Sequence, residues 1–280
     1  MSLVNMNDML EQARQNNYAV GAFNVYNIED TIAVLSAAQE LEVPIIVMTS
    51  MSALEHSGLE ELAAVISIKA AKNTRPVCLH LDHATEFATI LKAIKAGYRS
   101  VMFDGSTLPY HENVKRTKEI VKIARPLGVS VEGEIGRVGR GEEGEDVGGM
   151  VLSEPEMVKK FVAKTDIDAC AIAIGTQHGM QKQRAEIDYQ RLSKIRKLVD
   201  LPLVLHGSSG VNNNDLAKLS QGSIQKINIG TRLKRVFTDA LREQISQNPE
   251  LHDQIKLQKP SITAVKEEVK KKIKYISGTG

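Results

Sequence analysis

The chain has 280 residues, 42% hydrophobic and only 4% aromatic, with 36 Lys and Arg against 34 Asp and Glu for a formal charge of +2. So small a net charge argues against nucleic acid or a membrane surface as partner, while leaving room for local phosphate sites. Two cysteines cannot make a disulfide framework, no apolar window approaches a membrane span, and residues 1–10 lack a basic segment leading into an apolar run, so the expectation is a protein of the reducing cytoplasm.

In chain order, residues 7–16 read as a lead-in helix and 19–25 as a first strand. Ile28, Ile32, Leu35 and Leu41 then keep a helical period. A second buried strand falls at 44–50 and a second helix at 59–72. The third strand is the run Val77-Cys78-Leu79-His80-Leu81-Asp82-His83-Ala84. The alternation continues with strand four over 100–106, a helix near 111–125, and strand five over 129–135. Strands six, seven and eight follow at 169–175, 201–206 and 226–230. Leu233, Val236, Phe237, Ala240 and Leu241 share one face of the next helix, and Val265, Val269 and Ile273 mark a last helix over 261–275.

Eight short apolar strands, each trailed by a helical pattern, predict parallel βα units closed into an α/β fold, the (β/α)8 TIM barrel. An open doubly wound sheet is the competing topology. No linker divides the chain, so residues 1–280 are expected to form a single barrel domain with a C-terminal helical extension. One connection is long: 136–153 carries Gly136, Gly139, Gly141, Gly144, Gly148 and Gly149 with Glu142, Glu143, Glu145 and Asp146. Connections of that length inside a compact domain are lids, binding loops or disordered.

In a barrel the residues just after each strand share the face on which barrel enzymes keep their chemistry. That face would collect Asn24, Ser50, Asp82, His83, Asp104, Ser106, Glu134, His178, His206, Ser209, Asn228 and Thr231. His83, His178 and His206 close strands three, six and seven, so the three imidazoles could meet at one ion. Three protein ligands plus an open position is the catalytic zinc pattern. A single histidine is more often structural, and His56, His80, His111 and His252 are read as structural or surface residues. Strict alternation would send Asp82 and His83 to opposite faces, so they serve one site only if the strand ends there and the backbone turns away.

A separate signal concerns phosphate. His206-Gly207-Ser208-Ser209-Gly210 precedes a helix starting near Asn213, and Asn228-Ile229-Gly230-Thr231 precedes the helix containing Leu233. Small residues let backbone approach an anion, helix N-termini offer free N–H groups, and the loops after strands seven and eight are the usual barrel phosphate position.

With these residues assembled, the chain resembles the class II, zinc-dependent ketose-bisphosphate aldolases, the family of fructose- and tagatose-1,6-bisphosphate aldolases. The resemblance runs nearly end to end, through Gly21-Ala22-Phe23-Asn24, Leu81-Asp82-His83-Ala84, Val101-Met102-Phe103-Asp104-Gly105-Ser106, Glu134-Ile135-Gly136, Gly175-Thr176-Gln177-His178-Gly179, Leu205-His206-Gly207 and Lys226-Ile227-Asn228-Ile229. It implies that His83, His178 and His206 hold one zinc ion (Zn2+), that Asp82 exchanges a proton with the aldehyde-side oxygen, and that Asp104 and Glu134 border an alternative metal position. It also implies that Gly179, Gly207, Ser209, Asn228 and Thr231 hold dihydroxyacetone phosphate, with a monovalent cation, sodium or potassium, beside them. Asn24, Ser50, Ser208, Gly230 and Arg232 are carried as further substrate or phosphate contacts.

The chain departs from the family pattern at defined places. Gly139-Arg140-Gly141-Glu142-Glu143 is one residue longer than the usual Gly-Gly and two acids, so Glu142 and Glu143 both stand as the glutamate that moves the dihydroxyacetone phosphate proton, with Glu143 preferred. Ser208 replaces a usual glycine, Arg232 stands where an acid often follows the threonine, and Lys259 falls where many members carry an arginine that reaches the far phosphate. The resemblance implies reversible cleavage of a ketose 1,6-bisphosphate by a homodimer or homotetramer acting on a small sugar phosphate. The alternatives are the same chemistry on a ketose 1-phosphate or modified sugar phosphate, and a non-catalytic companion subunit.

Overall fold

The computed structural model describes residues 3–140, 149–180 and 182–277. Its strands are β1 (Val20–Asn24), β2 (Ile45–Ser50), β3 (Val77–Ala84), β4 (Ser100–Phe103), β5 (Ser130–Ile135), β6 (Gly139–Arg140), β7 (Ala169–Ile172), β8 (Gln177–His178), β9 (Leu203–Leu205) and β10 (Lys226–Ile229). The helices are α1 (Met6–Gln15), α2 (Ile28–Leu41), α3 (Met51–Ser57), α4 (Leu59–Ala70), α5 (Phe87–Lys95), α6 (Tyr110–Ala124), α7 (Pro155–Thr165), α8 (Tyr189–Leu198), α9 (Asn213–Ser220), α10 (Thr231–Gln247) and α11 (Gln254–Ile276). Eight strands pair in parallel and close in the order β1-β10-β9-β7-β5-β4-β3-β2, which makes the (β/α)8 TIM barrel and disposes of the open-sheet alternative.

Two-residue alternation along the strands divides the interior into two layers. Phe23, Ile45, Val47, Leu79 and Leu81 join the cluster beneath the helices, whereas Ala22, Ile46, Met48, Cys78, Met102 and Val204 form a second cluster along the barrel axis. Met6, Met9 and Leu10 of α1 belong to that second cluster, so α1 plugs the end of the barrel where the strands begin. Asn5 caps the helix by accepting from the Asn7 N–H at 2.7 Å, and the Met6 N–H donates to Ser130 Oγ at 3.1 Å. Burying side chains of this size stabilises by roughly 1.5–3 kcal/mol each, enough to hold the short plug in place. α11 packs across α2, α9 and α10, and its Lys266 and Lys270 reach Glu40 at 2.7 and 3.0 Å. Such half-exposed pairs contribute little next to its buried Val265, Val269 and Ile273.

The structure differs from the sequence reading in three places that bear on the site. α3 follows β2 directly, with the Ser50 side chain accepting from the Ala53 N–H at 3.4 Å, in a stretch to which the sequence reading assigned no element. β7 ends at Ile172 instead of 175, and His178 sits in the separate strand β8, paired in parallel with β6. The long connection is also tied at both of its ends: Arg137 and Val151 exchange backbone bonds of 2.8 and 3.0 Å. Glu142 and Glu143 lie outside the described residues. Among the described residues no helix is long and apolar enough to cross a membrane.

Candidate active site

β3 resolves the alternation problem with a bulge. Leu81 pairs with Val101 and Ala84 with Phe103, so three steps on β3 oppose two on β4, and His83 takes a left-handed backbone at φ 54°. An extra residue of this kind re-aims side chains while the strand continues. Asp82 and His83 therefore both face the rim, and the strand runs on to Ala84 instead of ending at the acid.

Three imidazoles meet there. The ring centroids of His83 lie 5.0 Å from His178 and 4.7 Å from His206, with 5.8 Å between the latter two, all edge to face. One nitrogen from each lies within 4.8 Å of the others. His83 Nε2 is 2.8 Å from His206 Nδ1, while His83 Nδ1 is 2.8 Å from Asp104 Oδ2. His83, Asp104 and Glu134 form a second group of potential ligands on the other side of the same ring. The fit to a cation shows in Glu134: its Oε2 is buried without a hydrogen-bond partner among the described residues and stands 4.0 Å from His83 Nδ1. Nitrogen and carboxylate donors around one point are the set a transition-metal dication takes.

The charges are arranged around that point. Burial pushes Glu134 up to about 8, reinforced by the neighbouring Asp104. Burial opposes the charge on His83, but Asp82 and Asp104 overcome it and raise the imidazole to about 10. Burial drives His206 well below the ordinary histidine range, with His83 and Lys226 adding to the effect. Asp82 is 5% exposed; burial would raise it, yet His83, His206, Lys226 and the Asn24 hydrogen bond together hold it below the usual carboxylate range. Asn24 Nδ2 donates to Asp82 Oδ2 at 2.9 Å, and Asn228 Nδ2 reaches Oδ1 at 3.4 Å. Asp82 is thus held in a fixed orientation in an environment that favours its ionised form, 3.9 Å from His83 Nε2.

A cleft of about 500 Å³ opens over these groups. That volume is in the range of small-molecule sites. Asn24, Ser50, Asp82, His83, Asp104, Ser106, Glu134, His178, Gly179, Gly207, Ser208, Ser209, Asn228, Gly230 and Thr231 all border it, as the barrel reading requires, and the fully buried His206 underlies it. Gly207 shows why glycine is needed in the loop after β9: its φ is 66°, and a Cβ there would lie 2.6 Å from the Gln177 backbone. Only glycine lets the loop after β9 lie against β8, which brings His206 beside His178. Ser208 Oγ donates to the Asn228 carbonyl, tying the loop after β9 to strand β10.

Two expected contacts fall elsewhere. Lys259 is exposed on α11 and does not line the cleft. Arg232 donates to Glu268 at 3.0 Å and lines a neighbouring cavity behind Ser208, Ser209 and Thr231. Conversely, the cleft holds Tyr26, Thr85, Arg137 and Lys234, which the sequence reading missed. Lys234 Nζ sits 4.7 Å from the Tyr26 ring centroid. Helical spacing offered one signal, since Lys234 is three residues past Thr231 on α10, and Arg137 opens the long loop after β5.

Chemistry gathered at the C-terminal rim of such a barrel is the arrangement of a (β/α)8-barrel enzyme with a candidate metal site. The chain matches the family model described as fructose-bisphosphate aldolase class-II over residues 4–280. It is 31% identical to the YdjI aldolase from Escherichia coli K12, covering 98% of this chain and 97% of that one at a TM-score of 0.85. Fructose-bisphosphate aldolase (Fba) from Campylobacter jejuni shares the fold, with 20% identity, 98% and 95% coverage and a TM-score of 0.83. The chain belongs to the class II fructose-bisphosphate aldolase family, and is by that membership a lyase.

Proposed function

We propose that this chain reversibly cleaves a ketose 1,6-bisphosphate, of the fructose or tagatose type, to dihydroxyacetone phosphate and glyceraldehyde 3-phosphate, within carbohydrate metabolism such as glycolysis. The observation that carries the reading is the meeting of His83, His178 and His206 beside an oriented Asp82. The three histidines would hold a zinc ion, with Asp104 and Glu134 flanking an alternative position. A divalent ion there supplies Lewis-acid stabilisation of the negative charge that develops on the ketone oxygen as the carbon–carbon bond breaks.

This chain's own residues do the rest. Gly179, after β8, joins Gly207, Ser209, Gly230 and Thr231, at the loops after β9 and β10, to form the cradle for one phosphate, and Asn24 and Asn228 hold Asp82. In the cleavage direction Asp82 takes the proton from the hydroxyl on the carbon that becomes the aldehyde. The bonding electrons remain on the dihydroxyacetone phosphate fragment, whose carbon then takes a proton from Glu143 or Glu142. Among the described residues the barrel strands offer no free lysine for a Schiff base: Lys226, on β10, is fully buried, ion-paired to Glu132 at 2.8 Å, and does not line the cleft, while Lys234, which does, stands on α10 over the Tyr26 ring. A homodimer or homotetramer and a sodium or potassium ion by the cradle, which rest on family membership, and a cytoplasmic location, which rests on the sparse cysteines, complete the proposal.

A second reading has an observation of its own. Lys259 does not line the cleft, and among the described residues the Lys and Arg side chains that do are Arg137 and Lys234. The same chemistry on a ketose 1-phosphate or modified sugar phosphate accords with that. Cleavage rates of zinc-loaded protein across ketose mono- and bisphosphates test both: preference for a 1,6-bisphosphate supports the first reading, preference for a monophosphate the second, and no turnover of any would defeat both in favour of a companion subunit.

A further inference from the structure

We propose that Glu132 and Lys226, a buried pair beneath the cleft, are positioning residues that fix which nitrogen of His206 carries the proton and so present its Nδ1 as a bare metal ligand. The inference rests on the three-histidine reading above. Glu132, Lys226 and His80 are each 0% exposed. They precede Glu134, Asn228 and Asp82 by two residues on β5, β10 and β3, so alternation places all three one layer below the chemistry.

The hydrogen bonds run in one direction. Glu132 Oε2 accepts from Lys226 Nζ at 2.8 Å, and Oε1 lies 2.8 Å from His206 Nε2. A carboxylate only accepts, so the proton of a neutral His206 ring sits on Nε2. That leaves Nδ1 bare, and Nδ1 is the nitrogen facing His83 Nε2 at 2.8 Å. One group competes: Asn228 Nδ2 stands 3.3 Å from His206 Nε2 and would donate to it. The contact to Glu132 is shorter and charge-assisted, so it decides.

Lys226 secures the carboxylate. An isolated buried carboxylate carries a large desolvation penalty, and the ammonium at 2.8 Å offsets it and fixes the rotamer. Lys226 also reaches His80 Nε2 at 3.5 Å, while His80 Nδ1 meets Ser100 Oγ at 2.7 Å, so its own surroundings are polar and ordered. Stability alone is a weak reason for such a pair, because well-packed apolar residues commonly replace buried ion pairs at no loss. Orienting a ligand histidine through its second nitrogen is a role that needs a carboxylate.

The test starts with metal-free wild-type protein labelled with 15N-histidine. Long-range proton–nitrogen correlation is expected to show His206 protonated at Nε2, and a proton on Nδ1 instead would overturn the proposal. Zinc affinity, read by competition with a chromophoric chelator, gives the second arm. Glu132→Gln is expected to weaken binding by roughly 10–100-fold, because the amide cannot accept from His206 without turning its N–H groups onto Lys226. In the uncharged pair Glu132→Gln/Lys226→Met the amide oxygen is free to face His206, and most of the affinity and the wild-type cobalt(II) absorption spectrum should return. Folded Glu132→Gln with wild-type zinc affinity and an unchanged cobalt spectrum would also overturn it. Wild-type protein that binds no zinc through its histidines would instead defeat the underlying reading, while the proton position on His206 still decides the inference.

Discussion

His206 Nδ1 and His83 Nε2 face each other across 2.8 Å, and His83 turns its remaining nitrogen to Asp104 Oδ2 at the same distance. Two ring nitrogens that close lie on opposite sides of one proton or one ion. Tetrahedral zinc, at about 2.0–2.1 Å from each nitrogen, asks for a separation of about 3.3 Å, a small opening of the pair. His206→Ala is therefore expected to lose the metal. Zinc content after dialysis should be about one per chain in the wild type and near zero in the variant; a full complement in the variant would remove His206 from the ligand set.

Asp82 answers to a different test, because Asn24 and Asn228 hold it and it stands 3.9 Å from His83 Nε2. Asp82→Ala should keep its zinc and lose roughly 10²–10⁴ in turnover, the usual contribution of a positioned base. Metal content and kcat measured on one preparation separate the roles. Loss of metal together with turnover would make Asp82 a ligand.

Gly207→Ala probes the contact between the loops. The new methyl would meet the Gln177 backbone at 2.6 Å in a left-handed conformation that itself costs about 1–2 kcal/mol for alanine. A stability loss of at least about 2 kcal/mol is expected in chemical denaturation, with weaker zinc retention because Gln177 adjoins His178. An unchanged denaturation midpoint would mean that β8 yields freely.

Asp30 gives the fold a pH dependence. Its carboxyl is 5% exposed, accepts the Tyr26 N–H at 3.2 Å, and is raised by burial to about 6. An unfolded aspartate titrates near 3.9, so between those values the folded chain binds more protons and stability falls as pH rises. The contribution is fully present below about pH 4 and lost above about pH 6; the N-terminus of α2 favours the anion and limits the loss to about 1–3 kcal/mol. Asp30→Asn should raise the melting temperature at pH 8 and give no advantage at pH 4. An equal gain at both pH values would contradict this origin.

The barrel was legible because each strand is a short apolar run and each helix keeps its period; β3 falls where Val77 to Ala84 placed it. The histidines were legible as residues at strand ends, but how they meet was not. The bulge at His83 leaves no mark in composition, and β8 is two residues paired with two others, too short for any pattern. Lys259 was readable only by resemblance, because its place on α11, outside the cleft of its own chain, follows from packing and not from any local pattern. Glu132 and Lys226 were within reach of the sequence, because alternation from Glu134 and Asn228 puts them on the same inward face.

The central claim is that His83, His178 and His206 hold the ion on which cleavage depends. Its most direct test is turnover of a ketose 1,6-bisphosphate by purified protein before chelation, after exhaustive chelation, and after zinc is returned. The account predicts full loss on chelation and recovery with about one zinc per chain. Undiminished cleavage by protein shown to contain no metal would contradict it.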